Sequence, residues 1–256
     1  MRSAIAVVCF ASWAVLACSR DAPGVRARPG VGAGSVVGAD AAGAEARAAY
    51  AARRAALEVD RVAWAKAWAR ADAATRRGLV ARARARLEEA FRDDLMPAWA
   101  GTPWAFSGTS DTPGAGSIAC GHFVATVLAH LGFDVPRLRL GRLASEHIAR
   151  TFVAKGDVMR FSNASADAVV AAVAARGEGI YALGLDYHAG FLDVHGGQVD
   201  MCHASNLGSA EVVCEPAATS PAFVSGYRVA ARLFEDDMVT GWLEGRSWVP
   251  FEPAVK

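Results

Sequence analysis

Apolar residues recur at helical spacing along the first half of the chain. Tyr50, Leu57 and Trp64 fall seven residues apart, with Trp68 one turn further on. Val80, Ala83, Leu87, Phe91 and Leu95 form a second stripe. Each stripe predicts an amphipathic helix, and together they make a helical segment over 45–99. Pro97 is expected to end the second helix, because it lacks an N–H and its ring crowds the preceding turn. The arginines between the stripes alternate with Glu58, Asp60, Asp72, Glu88, Glu89, Asp93 and Asp94, which reads as a solvated helix face.

The texture changes after Ala100. Gly, Pro, Ser and Thr fill 101–117, a long loop, and an apolar helix is expected over 118–131, closed by Gly132. A further helix is expected over 143–153 and a short strand over 157–161. Ser165 can cap a helix running to Arg176, with Asp167 in its first turn. Period-two alternation then predicts strands over 180–194, 198–203, 211–214 and 223–232. Helices followed by a meandering sheet define an α+β class, with the second domain over 100–256.

Composition narrows the function classes. The chain has 256 residues, 53% hydrophobic and 21% charged, which excludes a largely disordered protein. Its net charge of +1 gives no reason to expect a nucleic-acid partner. The start has a different character. Arg2, an apolar run over 4–16 and a small residue before Cys18 describe an export signal over 1–18. Val15-Leu16-Ala17-Cys18 resembles the lipobox of bacterial lipoproteins. That resemblance implies lipidation at Cys18 and a membrane-anchored, exported protein at the periplasmic face or outer membrane. Residues 19–44, with Pro23, Pro29 and several glycines, read as a flexible tether with a reach of roughly 30 Å.

Of five cysteines, Cys9 leaves with the signal and Cys18 is the lipid site. Cys202 and Cys214 lie on neighbouring expected strands. They can form a disulfide, which would leave Cys120 as the free thiol, or all three can be unpaired. No C-x-x-C or H-E-x-x-H pattern is present and the histidines are scattered, so no metal site is expected.

Cys120 opens the helix after the long loop, where unpaired N–H groups and the helix dipole favour a thiolate. It also shares a face with Val124, Val127 and Leu131, so a packing role stands beside a nucleophilic one. The downstream hairpin adds chemistry. A Gly196-Gly197 turn sets His195 opposite Gln198, Val194 opposite Val199, Leu192 opposite Met201 and Gly190 opposite His203. His188 lies two residues beyond Gly190 on that face, diagonal to His203. The other face carries Asp193, Asp200 and Cys202. Packing of the Cys120 helix on the histidine face would let His188 take the thiol proton and His203 orient it. The remaining histidines, His122, His130, His147 and His195, read as surface or packing residues.

Three segments carry a family resemblance: Ala119-Cys120-Gly121-His122-Phe123-Val124, His188-Ala189-Gly190-Phe191-Leu192 and Cys202-His203-Ala204-Ser205. Their order resembles the NlpC family of papain-like cysteine hydrolases. The resemblance implies a papain-like domain, its nucleophile helix packed on an antiparallel sheet, and Cys120, His188 and His203 as catalytic residues. It also implies cleavage of peptide or amide bonds in peptidoglycan stem peptides without a cofactor. Two other readings stay open. One is acyl transfer or amide hydrolysis on another substrate by the same residues. The other is a non-enzymatic, wall-binding lipoprotein in which Trp64, Trp68, Trp99 and Trp104 line a groove.

Overall fold

The computed structural model describes the backbone of residues 34–252 and the side chains of 43–252. The signal over 1–18, with Cys18, and the first part of the tether lie outside the described residues. Helix α1 (Gly34–Trp68) begins inside the stretch read as tether. Alanines over 41–49 supply the propensity that outweighs the interspersed glycines there. Next come α2 (Ala73–Glu89), capped by Asp72 accepting from Thr75 N–H, and α3 (Met96–Trp99).

Pro97 does not end the second helix. A π-helical turn over Ala90–Leu95 joins α2 to α3, with Met96 N–H bonded to Phe91 O. Pro97 then falls in the first turn of α3, where a missing N–H costs little. The chain leaves the helix at Gly101, whose φ is 76°.

Helix α4 (Cys120–His130) starts two residues later than the apolar pattern suggests, so Cys120 is its first residue. A short α5 (Arg137–Leu140), α6 (Ser145–Phe152) and β1 (Val158–Ser162) follow, then α7 (Ala166–Arg176), capped by Ser165 as expected. The apolar run over 180–194 is two strands, β2 (Gly179–Leu185) and β3 (Ala189–His195). It breaks at Asp186-Tyr187, where Leu185 N–H bonds His188 O at 2.9 Å. Asp186 pins this turn by accepting from Ser225, Gly226 and Tyr227. Strands β4 (Gln198–Ala204), β5 (Val212–Pro216) and β6 (Tyr227–Arg232) precede α8 (Asp236–Glu244).

The fold is α+β, with one six-stranded sheet in the order β1-β6-β2-β3-β4-β5 and every neighbour antiparallel. The hairpin register is the expected one: His195 opposes Gln198, Val194 opposes Val199 and Leu192 opposes Met201.

Both faces of the sheet are covered, and this corrects the expected packing. Leu192, Val194, Val199 and Met201 pack with Val169 and Val173 of α7. The opposite face, with Ala189, Phe191, Cys202 and Ala204, receives α4. There Phe191 meets Phe91 at 5.0 Å and Phe123 at 5.9 Å, both edge-on. Each such buried ring contributes roughly 1.5–3 kcal/mol. Helix α4, which carries Cys120, therefore lies on the side of the sheet opposite to the one expected. Alternation could not choose between two faces that are both apolar.

The helical segment over 45–99 is not a separate body. Tyr50, Leu57, Val80, Ala83, Leu87, Phe91 and Leu95 are buried in the same core as Phe123 and Phe191.

Candidate active site

Cys120 is placed by the loop before it. Ile118, fully buried, donates its N–H to Pro103 O, and Ala119 donates to Gly108 O, both at 2.9 Å. These bonds hold the entry to α4. The helical ladder begins with Phe123 N–H to Ala119 O at 2.8 Å. The N–H groups of Cys120, Gly121 and His122 precede it, as the first N–H groups of any α-helix do. Gly121 is required sterically, since a Cβ there would lie 2.4 Å from Gly141 O. Cys120 is half-buried and is the free cysteine among the described residues.

Cys120 and His188 line one cleft of about 510 Å³. Its walls come from the 101–117 loop (Trp104, Phe106, Ser107, Thr109), the start of α4, Gly141-Arg142, the β2–β3 turn (Tyr187, His188) and Asn206. Phe106 and Tyr187 are almost fully exposed at its rim. Among the described residues, Arg142 is the permanently charged side chain in this lining.

His188 and His203 come together as the hairpin register predicts. His188 Nε2 lies 2.9 Å from His203 Nδ1, with the rings nearly perpendicular. Gly190 makes room for this pair, because a Cβ there would sit 3.0 Å from His203 Cβ. His203 is 1% exposed, so its ring nitrogens depend on protein partners. Its Nε2 lies 3.2 Å from Glu215 Oε1, and Ser220 Oγ donates to the same oxygen at 2.5 Å. Burial and the neighbouring His203 push His188 down to about 4. Burial also lowers His203, with Glu215 opposing that shift. At neutral pH His188 is therefore a free base, with Nε2 bonded to His203 and Nδ1 making no hydrogen bond to the described residues.

Sequence reasoning missed Glu215 and Ser220. The expected strand ended at Cys214, two residues short of the end of β5 at Pro216. Extending the alternation would have placed Glu215 on the face of Val213, which opposes His203.

The cysteine expectation resolves to its paired form: Cys202 and Cys214 are directly opposed on β4 and β5 and joined by a disulfide. The four tryptophans do not form a groove. Trp104 lines the cleft, Trp99 is buried, Trp64 packs on Trp242, and Trp68 donates to Glu244.

Of the other histidines, His122 and His130 are buried, His147 packs on Phe251, and His195 is exposed. His130 accepts or donates at Nδ1 with Tyr50 OH at 2.8 Å, and Trp99 Nε1 donates to the same hydroxyl at 2.9 Å. No helix among the described residues is long and apolar enough to cross a membrane. Compared with known proteins, the chain matches no protein-family model, no curated protein and no solved structure.

Proposed function

We propose that this chain is an exported, lipid-anchored cysteine hydrolase with a papain-like, NlpC-type domain, cleaving peptide or amide bonds in peptidoglycan stem peptides. The observation that carries the reading is the bonded pair His188–His203, with His188 lining the same cleft as a helix-opening Cys120.

The chemistry follows from the free nitrogen. His188 Nδ1 takes the proton of Cys120 Sγ–H, and the thiolate attacks the scissile carbonyl. His203 holds the His188 ring through Nε2 and polarises it as the imidazolium forms. The unpaired N–H groups at the start of α4, that of Cys120 among them, stabilise the oxyanion. Collapse of the tetrahedral species returns the proton from His188 to the leaving amine. Water, activated by the same nitrogen, then releases the acyl group. The same residues would serve an acyl transferase if an amine or alcohol replaced water as acceptor.

The test begins without a substrate. Iodoacetamide alkylation of Cys120 in the full chain is followed against pH by peptide mass, in wild type and His188→Ala. The expected result is fast alkylation whose pH profile depends on His188. Stem-peptide turnover should then vanish in Cys120→Ala with unfolding unchanged. Turnover retained in Cys120→Ala, or alkylation indifferent to His188, overturns the assignment.

A further inference from the structure

The histidine pair does not end at His203. Strand β5 lies at the sheet edge, and its register with β4 sets Val213 opposite His203 and Glu215 opposite Met201. Glu215 is thus the diagonal neighbour of His203 on the same face. Its Oε1 reaches His203 Nε2 at 3.2 Å and is held from the other side by Ser220 Oγ. Ser220 is itself buried and fixed, since its Oγ accepts from Ala222 N–H while its own N–H bonds Pro216 O. The Cys202–Cys214 bridge immediately precedes both residues in sequence, Cys202 before His203 and Cys214 before Glu215. It ties the two strands at that point, so their register cannot slip by a residue without breaking it.

Proton accounting along this chain has one solution. A carboxylate accepts and has no proton to give. His203 Nε2 must therefore carry its proton toward Glu215. Neutral His203 then has its lone pair on Nδ1, which accepts from His188. His188 must carry its own proton on Nε2, and that leaves a lone pair on Nδ1. An acceptor-only group two residues removed thus selects the nitrogen of His188 that faces the thiol chemistry. His203 is buried, so no solvent is at hand to relieve a mismatched proton.

We propose that Glu215 is a positioning residue for the Cys120–His188 reaction: it selects the tautomer of His203 and, through it, of His188, and it balances the charge His188 acquires. The inference rests on the reading of Cys120 and His188 given above. When Cys120 Sγ–H passes its proton to His188 Nδ1, the products are a thiolate and an imidazolium. His188 Nε2–H remains bonded to His203, and no proton moves to Glu215. The carboxylate acts at a distance, as a fixed negative charge at the far end of two polarised rings.

The test uses the full chain in detergent, with wild type, Glu215→Gln, Glu215→Ala and His188→Ala. Two quantities are read: the pH profile of Cys120 alkylation by iodoacetamide, and the ¹⁵N shifts of the His188 and His203 ring nitrogens. The expected wild-type pattern is protonated Nε2 and bare Nδ1 on both rings at neutral pH. Glu215→Ala should lose that fixed pattern and slow alkylation about tenfold; Glu215→Gln keeps the shape and drops the charge, and should slow it about threefold with a displaced profile.

A merely structural Glu215 would lower the unfolding midpoint and leave both readouts unmoved. If Glu215→Gln and Glu215→Ala alkylate within about twofold of wild type while His188→Ala is slow, this inference fails and the Cys120–His188 reading stands. If His188→Ala also alkylates like wild type, both fail. Where Glu215→Ala does not fold, the isosteric Glu215→Gln decides.

Discussion

Removing the Cys202–Cys214 bridge should cost the fold a predictable amount. The two cysteines are separated by 12 residues and lie opposite one another on β4 and β5. A cross-link of that span removes loop entropy from the unfolded chain worth about 3 kcal/mol at 25 °C. The native strands keep their ladder bonds in the double variant Cys202→Ala/Cys214→Ala, so the loss falls on the unfolded-state side. For a chain of this size, 1 kcal/mol moves the midpoint by about 2–4 °C, so the expected drop is roughly 6–12 °C. Thermal and urea unfolding of wild type and double variant, both without reductant, measure it. Reductant should lower the wild type toward the variant and leave the variant unchanged, because the variant has no bridge to lose. A double variant within about 0.5 kcal/mol of wild type would refute the reasoning, since it would mean the unfolded chain gains no loop freedom when the cross-link is removed.

Other outcomes follow from the site and its surroundings. Tyr50→Phe strands the buried His130 Nδ1 and Trp99 Nε1 together, and should cost about 1–3 kcal/mol in denaturant unfolding. His130 and His188 are held near 3 and 4, below the ordinary 6.5, so the unfolded chain binds more protons between those values. Their contribution is complete above pH 6.5 and is lost as pH falls toward 4 and 3; a urea midpoint equal or higher at pH 5 than at pH 7 would contradict this. Gly190→Ala puts a Cβ 2.9 Å from Cys202 O and 3.0 Å from His203 Cβ. It should destabilise by about 1–3 kcal/mol and slow Cys120 alkylation by displacing His203. Arg142 lines the cleft beside Cys120, so Arg142→Gln should lower the ratio of iodoacetate to iodoacetamide alkylation rates about threefold, and an unchanged ratio would remove Arg142 from the local field.

The sequence by itself determined whatever depends on short-range periodicity. The stripes at Tyr50-Leu57 and Val80-Leu95 became buried helix faces, because 3.6-residue spacing needs no knowledge of the partner. The Gly196-Gly197 turn set the β3–β4 register, and period-two alternation then brought His188 to His203. The same logic put Cys202 and Cys214 on adjacent strands.

Tertiary structure decided the rest, wherever the deciding contact was distant in sequence or two local solutions were equally apolar. Phe191 and Leu192 alternate across a sheet buried on both sides, so pattern alone could not say which face takes α4. Pro97 reads as a helix stop locally, yet a π turn carries the helix past it, because Met96 and Trp99 are buried in the common core beyond. Glu215 completes the histidine chain only because β5 is an edge strand whose register is set by pairing and by the disulfide. The cleft around Cys120 is assembled from five segments spread between Trp104 and Asn206, and no local pattern encodes that assembly.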